Sequence, residues 1–183
     1  MKRMSTTLPG VLVLELDAFG DHRGGFMETY RRERYVEAGI DAEFVQDNFS
    51  WSTRGVLRGL HHQLRQPQGK LVQVLRGEVF DVAVDIRRGS PSFGQWFGAT
   101  LSGDNHLQMW IPPGFAHGFL VRSERVDYVY KVTTPYAPAE ERVIRWDDPD
   151  LGIAWPLDVA PVLSARDQAG VRLRDAELPT FAP

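Results

Sequence analysis

The chain has 183 residues, 43% of them hydrophobic and 25% charged, so its composition is that of an ordinary globular protein of about one domain. Lys plus Arg (21) nearly balances Asp plus Glu (24), a formal net charge of −3 that gives no basic footprint for nucleic acid. There is no cysteine, and no apolar run approaches the ~20 residues of a membrane-spanning helix, which excludes disulfides, thiolate chemistry and a helical span.

The opening MKRMSTTLPG carries Lys2 and Arg3 with no apolar run behind them, so no signal peptide is expected and the expected location is the cytoplasm. Arg31 to Ala38 reads as a short helix ended by Gly39, a normal C-terminal residue for a helix. Leu71 to Leu75 reads as a strand, with Arg76-Gly77-Glu78 as the turn out of it. The plainest strand signal is Phe80 to Arg87. There Phe80, Val82, Val84 and Ile86 alternate with Asp81, Ala83, Asp85 and Arg87, which predicts one buried face. Trp96 to Leu101 and Gln108 to Ile111 flank the turn formers Ser102-Gly103-Asp104-Asn105. Phe119 to Arg122 and Val126 to Thr133 continue the series, with Val126, Tyr128, Tyr130 and Val132 sharing one face. Ser164 to Glu177 reads as a second helix weakened by Gly170. Short strands separated by Gly, Pro and Asp/Asn turns predict a single all-β domain over residues 1–183, a barrel or sandwich with helices near the ends.

The densest polar segment runs from Gln46-Asp47-Asn48 to Arg58-Gly59-Leu60-His61-His62. On a regular strand Arg58 and His61 point to opposite faces, but Gly59 permits a bulge that brings both to one side. Two readings stand: an anion-binding Arg58 beside a general base His61, or a surface arginine beside partly exposed histidines. His117, held in Pro112-Pro113-Gly114-Phe115-Ala116-His117-Gly118, is either a rigidly placed site residue or a hydrogen-bonded core histidine. Because His61 and His62 are adjacent, a strand sends them to opposite faces, a poor spacing for two metal ligands. Only Lys2, Lys70 and Lys131 are lysines, so Lys70 behind Gln68-Gly69 carries weight, although an edge or surface lysine is its bland reading. Tyr130, in phase with Val126 and Val132, faces the interior, where it needs a hydrogen-bond partner and is able to donate a proton. Ser164-x-x-Asp167 fits the start of a helix, with Asp167 in the capping pattern.

Taken together these segments resemble the dTDP-4-dehydrorhamnose 3,5-epimerase family. The residues that carry the resemblance are Phe19 to Glu28, Phe44 to Asn48, Gly55 to Gln63, Gln68 to Val72, Gly77 to Asp85, Trp110 to Phe119, Tyr130-Lys131, Glu141-Arg142, Trp146 to Pro149 and Leu163 to Asp167. The resemblance implies an all-β cupin-type jelly roll acting on a dTDP-4-keto-6-deoxy sugar without cofactor or metal. It implies His61 as base with Asp167 as its carboxylate partner, Tyr130 as proton donor on the opposite face, and Lys70 with Arg58 as stabilisers of the enolate. His117 would contact the sugar. Arg23, Phe26, Glu28, Gln46, Asn48 and Arg58 would bind thymidine and diphosphate, with Tyr136, Glu141 and Arg166 completing the substrate site. It further implies a homodimer whose N-terminal segment, around Arg23 to Glu28, serves the neighbouring site, and neither nucleic acid nor membrane as partner. Phe49, His62, Arg166 and Val143 depart from the family's usual residues, and Phe49 and His62 are expected to reshape the sugar pocket. Double inversion, on the route to dTDP-L-rhamnose, is the expected reaction. Inversion of carbon 3 or carbon 5 alone is the alternative, and a metal-dependent cupin or a silent nucleotide-sugar binder are the readings from other classes.

Overall fold

The structure, a computed structural model, describes residues 1–181. In chain order its strands are β1 (Lys2–Ser5), β2 (Leu12–Glu15), β3 (Ala18–Asp21), β4 (Gly24–Met27), β5 (Gln46–Thr53), β6 (Leu57–Gln63) and β7 (Lys70–Arg76). They continue with β8 (Glu78–Asp85), β9 (Trp96–Ser102), β10 (Leu107–Ile111), β11 (Phe115–Val121), β12 (Arg125–Val132) and β13 (Glu141–Val143). The helices are α1 (Arg32–Glu37) and α2 (Ala165–Gln168). Two antiparallel sheets face one another: six strands in the order β1-β2-β10-β7-β12-β5, and five in the order β13-β6-β11-β8-β9. This is a cupin-type jelly roll. β3 and β4 form a separate hairpin. No helix among the described residues is long and apolar enough to cross a membrane.

Alternation builds the interior. Val126 and Tyr128 on β12, Val72 and Val74 on β7 and Met109 on β10 meet Val79, Ala83, Leu101, Phe119 and Val121 of the facing sheet. Phe119 and Tyr128 stack across the gap, ring centroids 4.4 Å apart. The single buried face expected for β8 is corrected: both of its faces are buried. Asp81, Ala83 and Asp85 face the barrel interior side, while Val82, Val84 and Ile86 pack on Ile144, Leu151, Leu173 and Ala176. The chain after β13 wraps the outside of the five-stranded sheet and covers what would otherwise be its solvent face.

The predicted helix over Ser164 to Glu177 is likewise shortened to α2. At Gly170 the chain lies so near Arg145 that a Cβ would stand 2.9 Å from the Arg145 backbone nitrogen, and Val171 then bridges Ile144 in extended form. The turn at Arg76-Gly77-Glu78 is present, but it carries the chain from one sheet to the other instead of closing a hairpin. The first helix matches its expectation, with Arg31 as N-cap, Ala38 as C-cap and Gly39 at φ +95°.

One irregularity positions the site. Arg58 and His61 are three residues apart on β6, but their partners on β11, Phe119 and His117, are only two apart. The extra residue is a bulge at Gly59, and it turns both side chains toward the interior, as the glycine suggested. Gly59 has φ +124°, and a Cβ there would lie 2.6 Å from Gly118 Cα. Gly59→Ala should therefore destabilise the fold by about 2–4 kcal/mol through strain and steric conflict. Urea unfolding is the check, and a loss under ~0.5 kcal/mol would show that the bulge tolerates a side chain.

Candidate active site

Strand register decides which residues meet. On the six-stranded sheet the inward row Gln46–Val132–Lys70 runs across β5, β12 and β7, and the next is Asn48–Tyr130–Val72. On the facing sheet the rows are His61–His117–Ala83 and Arg58–Phe119–Asp81. A cleft of about 350 Å³ opens between them, lined by Gln46, Asn48, Arg58, His61, Lys70, His117, Tyr130, Tyr136, Glu141 and Arg166 of the expected set. His61 and Tyr130 thus come from different sheets and stand on facing walls.

Asp167 lies behind His61. His61 Nε2 and Asp167 Oδ1 are 2.6 Å apart. Asp167 is 3% exposed, and its carboxylate also accepts from Ser164 Oγ (2.6 Å) and the Gly59 N–H (3.3 Å). Burial works to raise its pKa, but the hydrogen bonds from His61 and Ser164 outweigh it and hold the carboxyl below its usual range. An ionised Asp167 accepts from Nε2–H, which leaves the lone pair on His61 Nδ1. Ser164 is also the N-cap of α2, its Oγ accepting from the Asp167 N–H at 3.1 Å. The capping and carboxylate-partner geometries coexist at Asp167.

Across the cleft, burial pushes the Tyr130 hydroxyl upward, against the Arg58 charge, so it is a protonated donor at neutral pH. Burial pushes the Lys70 amine down to about 8, while the charges of Glu141 and Asp81 pull the other way. Arg58 is held by Ser52, whose Oγ accepts from Nε at 3.1 Å and Nη2 at 2.9 Å. At the mouth, Tyr136 donates from its hydroxyl to Glu141 Oε2 (2.9 Å) and from its backbone to Gln46 Oε1 (3.1 Å). Arg166 pairs with the same Glu141 carboxylate and donates to the Tyr136 oxygen at 3.1 Å.

Arg23, Phe26 and Glu28 do not line this cleft. Arg23 pairs with Asp21 on the β3–β4 hairpin (2.6 Å), Phe26 is 70% exposed, and Glu28 pairs with Arg34 (3.0 Å). The expectation that Phe49 and His62 reshape the sugar pocket is corrected. Phe49 points to the outer face of β5, opposite Asn48 and Ser50, and lies 53% exposed. His62 is buried on the far side of β6 with Nε2 3.1 Å from the Glu177 carbonyl. Sequence reasoning did not single out Asp81, Tyr128, Ser50, Gln68 or Phe119. For Asp81 the signal was a carboxylate in a strand whose other face is wholly apolar. For Tyr128 it was the shared phase with Tyr130.

A family model described as dTDP-4-dehydrorhamnose 3,5-epimerase matches residues 5–175. The dTDP-4-dehydrorhamnose 3,5-epimerase of Pseudomonas aeruginosa is 56% identical over 178 residues, 97% of this chain and 98% of the relative. The dTDP-4-dehydro-6-deoxyglucose 3-epimerase of Streptomyces bikiniensis is 40% identical, covering 88% of this chain and 85% of its own length. Among solved structures, the dTDP-6-deoxy-D-glucose-3,5-epimerase of Legionella pneumophila in complex with dTDP-4-keto-L-rhamnose matches with TM-score 0.97 at 50% identity. That match covers 100% of this chain and 99% of that one.

Ser164 ties the helix cap to the His61–Asp167 pair. Ser164→Ala should lower stability by about 1 kcal/mol, the scale of a lost N-cap. Chemical denaturation is the check, and an unchanged midpoint would remove the cap from the account.

Proposed function

The chain belongs to the dTDP-4-dehydrorhamnose 3,5-epimerase family, and we propose that it inverts carbons 3 and 5 of dTDP-4-dehydro-6-deoxy-D-glucose to give dTDP-4-dehydro-L-rhamnose. The observation that carries this reading is the pairing of a carboxylate-oriented imidazole on one wall with a half-buried tyrosine on the other. The ketone at carbon 4 acidifies the hydrogens at carbons 3 and 5. His61 Nδ1 takes one such proton, and the electrons of the broken C–H bond move to the ketone oxygen as an enolate. Asp167 stabilises the imidazolium that forms. Lys70, with Arg58, supplies fixed positive charge to the enolate oxygen in a site already ordered before reaction. Tyr130 returns a proton to the opposite face of the carbon, and both groups are restored by exchange with water.

Arg58, Gln46, Asn48, Tyr136, Glu141 and Arg166 suit the nucleotide end. A guanidinium donates two parallel hydrogen bonds to phosphate oxygens, and the Tyr136 ring offers a face to thymine. His117 lies nearer the sugar. Arg23, Phe26 and Glu28 serve a second copy in a homodimer. This is supported by their position outside their own chain's cleft and by the exposed Phe19 and Phe26 of the β3–β4 hairpin. The whole chain acts as one domain, in the cytoplasm, where a charged nucleotide sugar is retained. Inversion of carbon 3 alone is the second reading, favoured by the similarity to the Streptomyces 3-epimerase.

Proton NMR of the substrate with the protein in deuterated water separates these outcomes. Exchange and inversion at both carbons are expected. Inversion at carbon 3 alone establishes the second reading, and exchange at neither carbon by folded protein overturns both. Tyr130→Phe should lower turnover by about 10²–10⁴-fold, the usual scale of a lost proton donor, and near-native turnover would remove Tyr130 from the chemistry.

A further inference from the structure

Behind His117 stands a carboxylate that the proposed reaction does not use. Strand register sets Asp81 diagonally from His117, because β11 pairs with β8 as His117–Ala83 and Phe119–Asp81. Asp81 is fully buried, and both of its oxygens are engaged: Oδ1 lies 2.9 Å from His117 Nε2, and Oδ2 accepts from the Tyr128 hydroxyl at 2.5 Å. Tyr128 reaches it from the opposite sheet, 1% exposed and stacked on Phe119. The arrangement repeats the one at His61, whose Nε2 is held by Asp167. His61 and His117 are register partners on β6 and β11, so two imidazoles lie side by side on one wall, each backed by a buried carboxylate.

Counting protons fixes what His117 presents to the cleft. Burial pushes its pKa down despite the pull of Asp81, so at neutral pH the ring is uncharged and carries a single N–H. Tyr128 is held protonated by burial and by the Asp81 charge, and its one proton is committed to Oδ2. A carboxylate oxygen only accepts, and the Tyr128 oxygen is 3.4 Å from Nε2. Nε2 is therefore the protonated nitrogen, donating to Oδ1, and Nδ1 carries the lone pair. Among the described residues no side chain or backbone group donates to His117 Nδ1, and it is not sealed inside the protein as the Nδ1 atoms of His62 and His106 are. His117 lines the cleft together with Arg58, His61, Lys70 and Tyr130. Arg58, Lys70 and Tyr130 bring donors, and His61 Nδ1 is assigned to the C–H bond. The His117 lone pair is the acceptor left at that end for a hydroxyl.

We propose that Asp81, held in place by Tyr128, is the positioning residue that fixes His117 as a neutral acceptor, through Nδ1, for a hydroxyl of the sugar ring. Its consequence for substrate binding rests on the function proposed above. The tautomer itself does not depend on which carbons are inverted.

With only five histidines in the chain, the tautomer is directly readable by NMR of protein labelled with ¹⁵N-histidine, and a His117→Gln variant identifies the ring signals. In the parent protein at neutral pH, His117 should show a protonated Nε2 and a bare Nδ1. In Asp81→Val the acceptor is gone, and a population protonated at Nδ1 should appear, while the other four rings keep their signals. Asp81→Ala is the second variant should valine fail to fold. The substrate should bind about tenfold more weakly to the variant, the scale of one lost hydrogen bond, with dTDP affinity unchanged by calorimetry. A parent His117 protonated at Nδ1, or a tautomer that stays in place in a folded variant, overturns the inference. Equal losses for dTDP and for the sugar nucleotide overturn the hydroxyl contact. If the tautomer and the binding loss are as expected but the substrate shows no exchange, the positioning stands and only the proposed reaction falls.

Discussion

The hydrogen bond between Asp167 and His61 is the contact on which the rest of the arrangement depends. The two residues are 106 positions apart, and several otherwise unrelated features serve to bring them together. The bulge at Gly59 turns His61 inward, and the Gly59 N–H itself reaches Asp167. Ser164 caps α2 and braces the second carboxylate oxygen. Bridges from Val56 to Val162 and from Ile144 to Val171 seat the segment on the outside of β6. The apolar burial of Val82, Val84 and Ile86 beneath that segment is therefore what holds the carboxylate behind the imidazole.

Two facing sheets also divide the chemistry. The five-stranded sheet carries His61, Arg58, His117 and Asp81, and the six-stranded sheet carries Tyr130 and Lys70. The base and acid proposed for opposite walls match what inversion at a carbon requires: removal from one face and delivery to the other. Burial gives each wall its protonation state. It keeps the Tyr130 proton on and pulls Lys70 down to about 8, against the charges of Glu141 and Asp81.

Much of the site was legible in the sequence because strand alternation fixes which residues share a face. Tyr130 was placed inward by its phase with Val126 and Val132, and Gly59 announced the bulge that brings Arg58 and His61 together. What local pattern misses is the third layer. Periodicity in β8 shows that one side is apolar and is silent on what covers the other, so the burial of Asp81 and its bonds to His117 and Tyr128 were invisible. The shortening of the last helix has the same origin, since Gly170 is there for a close approach to Arg145, a contact between distant segments. Phe49 and His62, linked to the sugar pocket only because they depart from the family's usual residues, point away because a strand turns each successive side chain over.

The most direct test of the Asp167–His61 pair as the base is Asp167→Asn, followed by solvent deuterium entering carbons 3 and 5 of the substrate. Asparagine keeps the shape but not the charge that orients and stabilises the imidazolium. The account predicts that exchange at both carbons slows by about 10²–10⁴-fold, with dTDP affinity unchanged by calorimetry. Exchange at the native rate in a folded variant would contradict it.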